Sequence, residues 1–131
     1  MASRAYAGAV SMPVLHVCTT CRAGLPLAEG AVAPGQSFYE AVLGAAGEAV
    51  EVRGVKCLSS CSAGCAAVIS MPGKWTYLLG RLEVGMVPDL LAYAATYAAH
   101  PTGTVLPSKR PASLARMVLG RVPDLGLERA A

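Results

Sequence analysis

Five cysteines carry the most specific chemistry in this chain: Cys18 and Cys21 as C-x2-C, and Cys57, Cys61 and Cys65 as C-x3-C-x3-C. Thiolates in such groups are metal ligands, and four sulfurs around one point are the coordination of zinc and of iron-sulfur clusters alike, so spacing alone does not choose between them. The residues between the thiols favour a cluster. Leu58, Ser59, Ser60, Ser62, Ala63 and Gly64 are mostly small, which lets backbone N–H groups approach bridging sulfides. Thr19, Thr20, Ser59, Ser60 and Ser62 can add hydroxyl donors. Arg22 and Lys56 each adjoin a cysteine, and a four-thiolate 2Fe-2S centre, with about two negative charges oxidised and three reduced, is easier to reduce near cations. Each of the two is, taken alone, an ordinary solvated side chain.

Cys18-Thr19-Thr20-Cys21 is also the spacing of a redox dithiol. That chemistry uses a helix N-terminus at the first cysteine to lower its pKa, and Arg22-Ala23-Gly24-Leu25-Pro26 breaks the chain instead. His16 shares a strand face with Cys18 and can serve as a ligand, although a structural histidine is the commoner case. His100 ends a helix and Trp75 and Tyr77 read as packing groups. No catalytic triad, paired-carboxylate motif, G-x-G-x-x-G or P-loop is present, so an electron carrier or metal-binding protein is expected rather than an enzyme.

Composition agrees. With 54% hydrophobic and 15% charged residues, the 131-residue chain can build one core without cross-links. An odd cysteine count and a start, MASRAYAGAV, without a Leu-rich run and cleavage site argue against a secreted disulfide framework and for a reducing cytoplasm. The longest apolar stretch, 90–99, is too short to span a bilayer. A net charge of +3 with 5% aromatics lacks the basic, aromatic-interleaved stripe of a nucleic-acid binder.

The elements that must position the thiols follow from pattern. Val14-Leu15-His16-Val17 is a strand leading into Cys18, and the alternating stretch 49–56 is a strand leading into Cys57, so the two cysteine groups meet if these strands are neighbours. Residues 22–36 form a Gly- and Pro-rich loop. Ser37-x-x-Glu40 is a capping box that predicts a helix over 37–49. Strands over 66–71 and 75–82 flank a Pro72-Gly73 turn, and Pro88 and Asp89 open a helix that ends at His100-Pro101. Beyond it, Pro101, Pro107, Pro111 and Pro123 punctuate a tail with one short periodic stretch, 113–120, in which Leu114, Met117 and Val118 make an apolar stripe beside basic Arg116 and Arg121.

The stretch from Cys57 to His100 resembles the second half of thioredoxin-like 2Fe-2S ferredoxins, with C-x3-C, a short strand, a Pro-Gly turn, Trp75 and Tyr77 on the next strand, and a final helix. Residues 14–123, with an HVC-x2-CR start and a GKWTYLLG core, are similar to an uncharacterised bacterial family of predicted metal-binding proteins. The resemblance implies a thioredoxin-like fold and a 2Fe-2S cluster held by Cys18, Cys21, Cys57 and Cys61, often in a homodimer, with a link to cobalamin or cobalt metabolism. Those ferredoxins usually separate their first two ligands by more than two residues and lack a thiol at the position of Cys65, which makes Cys65 a possible alternative ligand.

The expectation is therefore an α/β thioredoxin-like protein with a small mixed sheet, β-α-β-β-β-α order and flanking helices. A flexible N-terminus (1–13) precedes the ferredoxin domain (14–100), and a Pro-rich C-terminal extension (101–131) carries a short basic helix. The expected function is one-electron transfer to a redox partner protein, or redox sensing. The alternatives are a zinc-binding structural or metal-delivery protein and a C-x-x-C dithiol oxidoreductase.

Overall fold

A computed structural model describes residues 12–23 and 26–125. The expected flexible N-terminus lies outside the described residues except for Met12 and Pro13. Five described strands, β1 (Val14–Cys18), β2 (Glu51–Val55), β3 (Cys65–Ser70), β4 (Thr76–Leu82) and β5 (Val118–Val122), form one mixed sheet in the order β2-β1-β3-β4-β5. The β1–β2 pair is parallel and the other pairs are antiparallel. A parallel pair needs a crossover, which α1 (Pro34–Ala46) supplies; α2 (Val87–Ala99) follows β4.

One sheet face is the core. Leu15 and Val17 of β1 register with Ile69 and Ala67 of β3, which register with Tyr77 and Leu79 of β4. All six are buried in one cluster with Phe38 and Val42 of α1 and Leu90, Tyr93, Ala94 and Tyr97 of α2. The alternate residues Val14, His16, Val68, Ser70, Thr76 and Leu78 are half-buried, as period-two patterning requires of a sheet covered more fully on one side.

Local signals explain most boundaries. Lys74 N–H donates to the Met71 carbonyl at 3.1 Å, with Pro72 second and Gly73 third at φ 78, the residue pattern of a type II turn. Helix α2 runs as expected, with Pro88 and Asp89 in its first turn. Helix α1 does not start at the Ser37 box. Pro34 takes the first turn, where its missing N–H costs nothing, and Ser37 is already interior, its N–H donating to the Ala33 carbonyl at 3.2 Å. Glu40 instead accepts from Gln36 Nε2 at 2.8 Å, one helical turn away. The helix ends at Ala46, before Gly47 at φ 61.

The expected basic helix over 113–120 is not formed. A 3-10 turn at Ala112–Leu114 leads into β5, because so short a helix is marginal alone while the edge of β4 offers unpaired backbone groups. Gly80 N–H donates to the Met117 carbonyl at 2.7 Å, and β5 continues alongside, Val118 opposite Leu79 and Val122 opposite Thr76. Leu114 and Met117 are buried, so the apolar stripe serves the core from a turn rather than a helix. No described helix is long and apolar enough to cross a membrane.

This topology collects the thiols. The C-terminal ends of β1, β2 and β4 and the N-terminal end of β3 share one end of the sheet, with Cys18 opposite Val55 and Cys65 opposite Leu82.

Candidate metal centre

The first thiol loop is laced to the end of β2. Thr19 N–H donates to the Val55 carbonyl at 2.8 Å, its hydroxyl reaches the same oxygen at 3.2 Å, and the Thr20 hydroxyl donates to the Lys56 carbonyl. Cys18 is thereby held beside the residue that precedes Cys57: its thiol lies 3.6 Å from the Lys56 carbonyl and 3.7 Å from the Thr20 hydroxyl. Most of the hydroxyls expected to serve sulfur thus bond carbonyls, Ser60 joining them with a 3.3 Å bond to Leu58 O. Backbone amides donate to the other sulfurs, Ala23 N–H to Cys21 Sγ at 3.4 Å and Ser59 N–H to Cys57 Sγ at 3.3 Å.

Cys21 links both thiol loops and α1. Its thiol donates to the Gly64 carbonyl at 2.8 Å, and its own carbonyl accepts from Gly35 N–H at 2.8 Å. Gly35 has to be glycine for this approach: a Cβ there would lie 2.3 Å from Cys18 O and 2.9 Å from Cys21 N. The break after Cys21 therefore does not remove a helix terminus from the thiols. The first turn of α1 returns to them through space, with its partial positive charge at Cys21.

The structure brings Cys18, Cys21 and Cys65 together. Cys18 and Cys21 are buried with Ala66, and Leu58 packs against them. Cys65 belongs to the main core, yet the Cys21 and Cys18 thiols bear on it: burial first, then those two neighbours, then Glu83, push its pKa up to about 11. Cys57 is exposed at the rim. Cys61 opens the 3-10 turn Cys61–Ala63, and its side chain lies outside the described residues. Cys18, Cys57 and Cys65 are free thiols. Among the described residues no three His, Cys, Asp or Glu side chains form a group able to hold a metal ion.

The other candidates fall elsewhere. His16 is half-buried, in register between Arg53 and Val68, and Arg22 and Lys56 are exposed. His100 is structural, its Nδ1 accepting the Thr102 and Gly103 N–H groups at 3.1 Å each. Trp75 precedes β4 at the end opposite the thiols, about 20 Å away at ~3.3 Å per strand residue. There its N–H donates to Thr102 O at 3.0 Å, its carbonyl accepts the Tyr97 hydroxyl, and Arg121 lies over its ring. Tyr77 packs edge-on against Tyr97 with ring centroids 6.3 Å apart.

Sequence reasoning passed over Gly35 and Arg81 and read Gly64 only as one of the small residues between the thiols. Gly64 takes φ 75 with Arg81 Cα against the place of its missing Cβ, 3.1 Å away, and Arg81 is itself at φ 57. Beside them a groove of about 510 Å³, lined by Ala23, Phe38, Cys65, Arg81 and Glu83, opens next to Cys65. The Pro34-Gly35 pair and the small residues around Gly64 were the available signals, but both read equally well as loop.

Among solved structures the chain is similar to a thioredoxin-like [2Fe-2S] ferredoxin from Aquifex aeolicus, with a TM-score of 0.55 and 15% identity over 91% of this chain and 100% of that one. The likeness shows the fold, a thioredoxin-like α/β architecture. No curated protein matches the sequence. Residues 15–124 match the family described as a protein of unknown function, DUF1636, which takes in the sheet, both helices and every cysteine, and the chain belongs to that family.

Proposed function

We propose that this protein is an electron carrier of ferredoxin type, with a 2Fe-2S cluster bound by Cys18, Cys21, Cys57 and Cys61 and Cys65 as a reserve thiol. One observation carries the reading: two cysteine loops distant in sequence are hydrogen-bonded to each other at one end of the sheet, through Thr19 to Val55, Thr20 to Lys56 and Cys21 to Gly64. The fold shared with a thioredoxin-like [2Fe-2S] ferredoxin supports it.

The donor set fits such a group. The side chains gathered there are thiols, backbone N–H groups already point at two of the sulfurs, and Gly35 lets the start of α1 pack directly on the first thiol loop. A bound cluster supplies a one-electron couple. The chain's own part is to bury Cys18 and Cys21 away from water and to leave Cys57 at the surface, where a redox partner protein can approach. Cys65 packs in the main core beside Cys21, close enough to stand in for a ligand, which suits a reserve thiol.

Anaerobic purification tests this. The expected product is red-brown, with visible absorption and equal amounts of iron and acid-labile sulfide. The colour is lost when Cys18, Cys21, Cys57 or Cys61 is replaced by Ser and is retained in Cys65→Ser. A colourless protein carrying zinc would overturn the electron-transfer reading.

A further inference from the structure

A second cavity, of about 330 Å³, lies between β4, β5 and the segment after α2, in the half of the molecule away from the thiols. Its polar lining is Tyr77, Thr104, Arg110 and Arg121, its apolar lining includes Val105 and Val118, and no carboxylate lines it. Arg110 and Arg121 both line it, and no carboxylate in its wall offsets their two charges.

Both arginines are held in place by neighbouring groups. Arg121 is stacked over Trp75, its guanidinium carbon 4.5 Å from the ring centroid, and its Nη1 donates to the Tyr77 hydroxyl at 3.4 Å. Arg110 is steadied by Nη2 donating to Val105 O at 3.4 Å, yet its Nε is buried with no hydrogen-bond partner. The Tyr93 hydroxyl, also buried and unpartnered, is near enough to Arg110 to feel its charge. Two orphaned polar groups in one region are costly in a folded protein. Guanidinium forks match the paired oxygens of carboxylates and phosphates. The volume lies at the lower end of small-molecule sites, and the apolar wall suits a compact hydrophobic body.

We propose that this cavity binds a small organic anion, a carboxylate or phosphate monoester with a compact apolar body, whose charged head is held by Arg110 and Arg121. The site is separate from the thiols and does not depend on what they bind.

Calorimetric titration of the purified full chain with benzoate, phenyl phosphate, inorganic phosphate and neutral benzyl alcohol tests the proposal. Saturable binding of benzoate or phenyl phosphate, at least about tenfold tighter than benzyl alcohol, is expected, and the tighter of the two identifies the head group. Trp75 is the sole tryptophan, so its emission should change in step as Arg121 is engaged. Arg110→Gln and Arg121→Gln should each weaken binding by about tenfold or more, while Arg53→Gln, whose guanidinium pairs with Glu51, leaves it unchanged. Arg121 is on an exposed edge strand, so its variant carries the test should Arg110→Gln fail to fold. Benzyl alcohol binding as tightly as the anions, inorganic phosphate as tightly as phenyl phosphate, or no saturable binding at millimolar concentration would each overturn the proposal.

Discussion

The Cys21 thiol donates to the Gly64 carbonyl across 2.8 Å, joining the first cysteine loop to the residue just before Cys65. Gly64 can present that carbonyl because it adopts φ 75, where a side chain would be strained and would press on Arg81. Ligation of Cys21 would remove the thiol proton, so metal binding at this sulfur and this bond exclude each other.

The same meeting depends on Gly35. In Gly35→Ala the new methyl would collide with Cys18 O and Cys21 N, both backbone atoms, so α1 or the thiol loop must move. The expected cost is about 1–3 kcal/mol, seen as a lower thermal midpoint and reduced metal loading. Gly44→Ala is the internal comparison: its Cβ would meet nothing within 4 Å, and the variant should gain about 0.5–1 kcal/mol from helix propensity.

Thiol labelling separates the rim from the interior. In metal-free protein, iodoacetamide followed by peptide mass mapping should modify exposed Cys57 well before buried Cys18, Cys21 and Cys65. Labelling of Cys65 as fast as Cys57 would contradict the packing described.

Lys74 closes the C-terminus of α2, its Nζ donating to Ala98 O at 2.5 Å and His100 O at 2.6 Å. Lys74→Met should therefore destabilise the fold by about 1 kcal/mol, measured by urea unfolding, while leaving the visible spectrum of loaded protein unchanged.

Alkaline stability tests the tyrosine core. Burial, with Tyr77 adding to it, pushes the Tyr97 hydroxyl from 10.0 up to about 12, and Tyr93 shifts the same way. A phenol with a raised folded pKa ionises first in the unfolded chain, so its stabilisation is complete below pH 10 and is lost as pH rises from 10 toward 12. Urea midpoints across that range should fall. Tyr97→Phe should start lower, having lost the bond to Trp75 O, and decline less steeply.

The elements whose cues are local were legible. Pro72-Gly73 dictates its turn, Pro88 and Asp89 start α2, and a strand running into each of Cys18 and Cys57 is visible in the alternation of side chains. Where two local cues competed, the sequence misled: Ser37-x-x-Glu40 and Pro34 both signal a helix start, and the choice fell to Pro34, whose first turn packs its Gly35 against Cys18 and Cys21. Leu114, Met117 and Val118 have a spacing that reads as helix, and the free edge of β4 draws the chain into β5 instead.

By itself the sequence determined the thiol chemistry and the strand ends that carry it, since both are properties of residue type and short spacing. Only the tertiary structure decided which thiols face each other, that Cys65 stands beside Cys21, that Trp75 is a distant brace, and that Arg110 and Arg121 share a cavity. Each of those is a contact between segments far apart in the chain, set by strand order and close packing, and no periodicity within one segment encodes it.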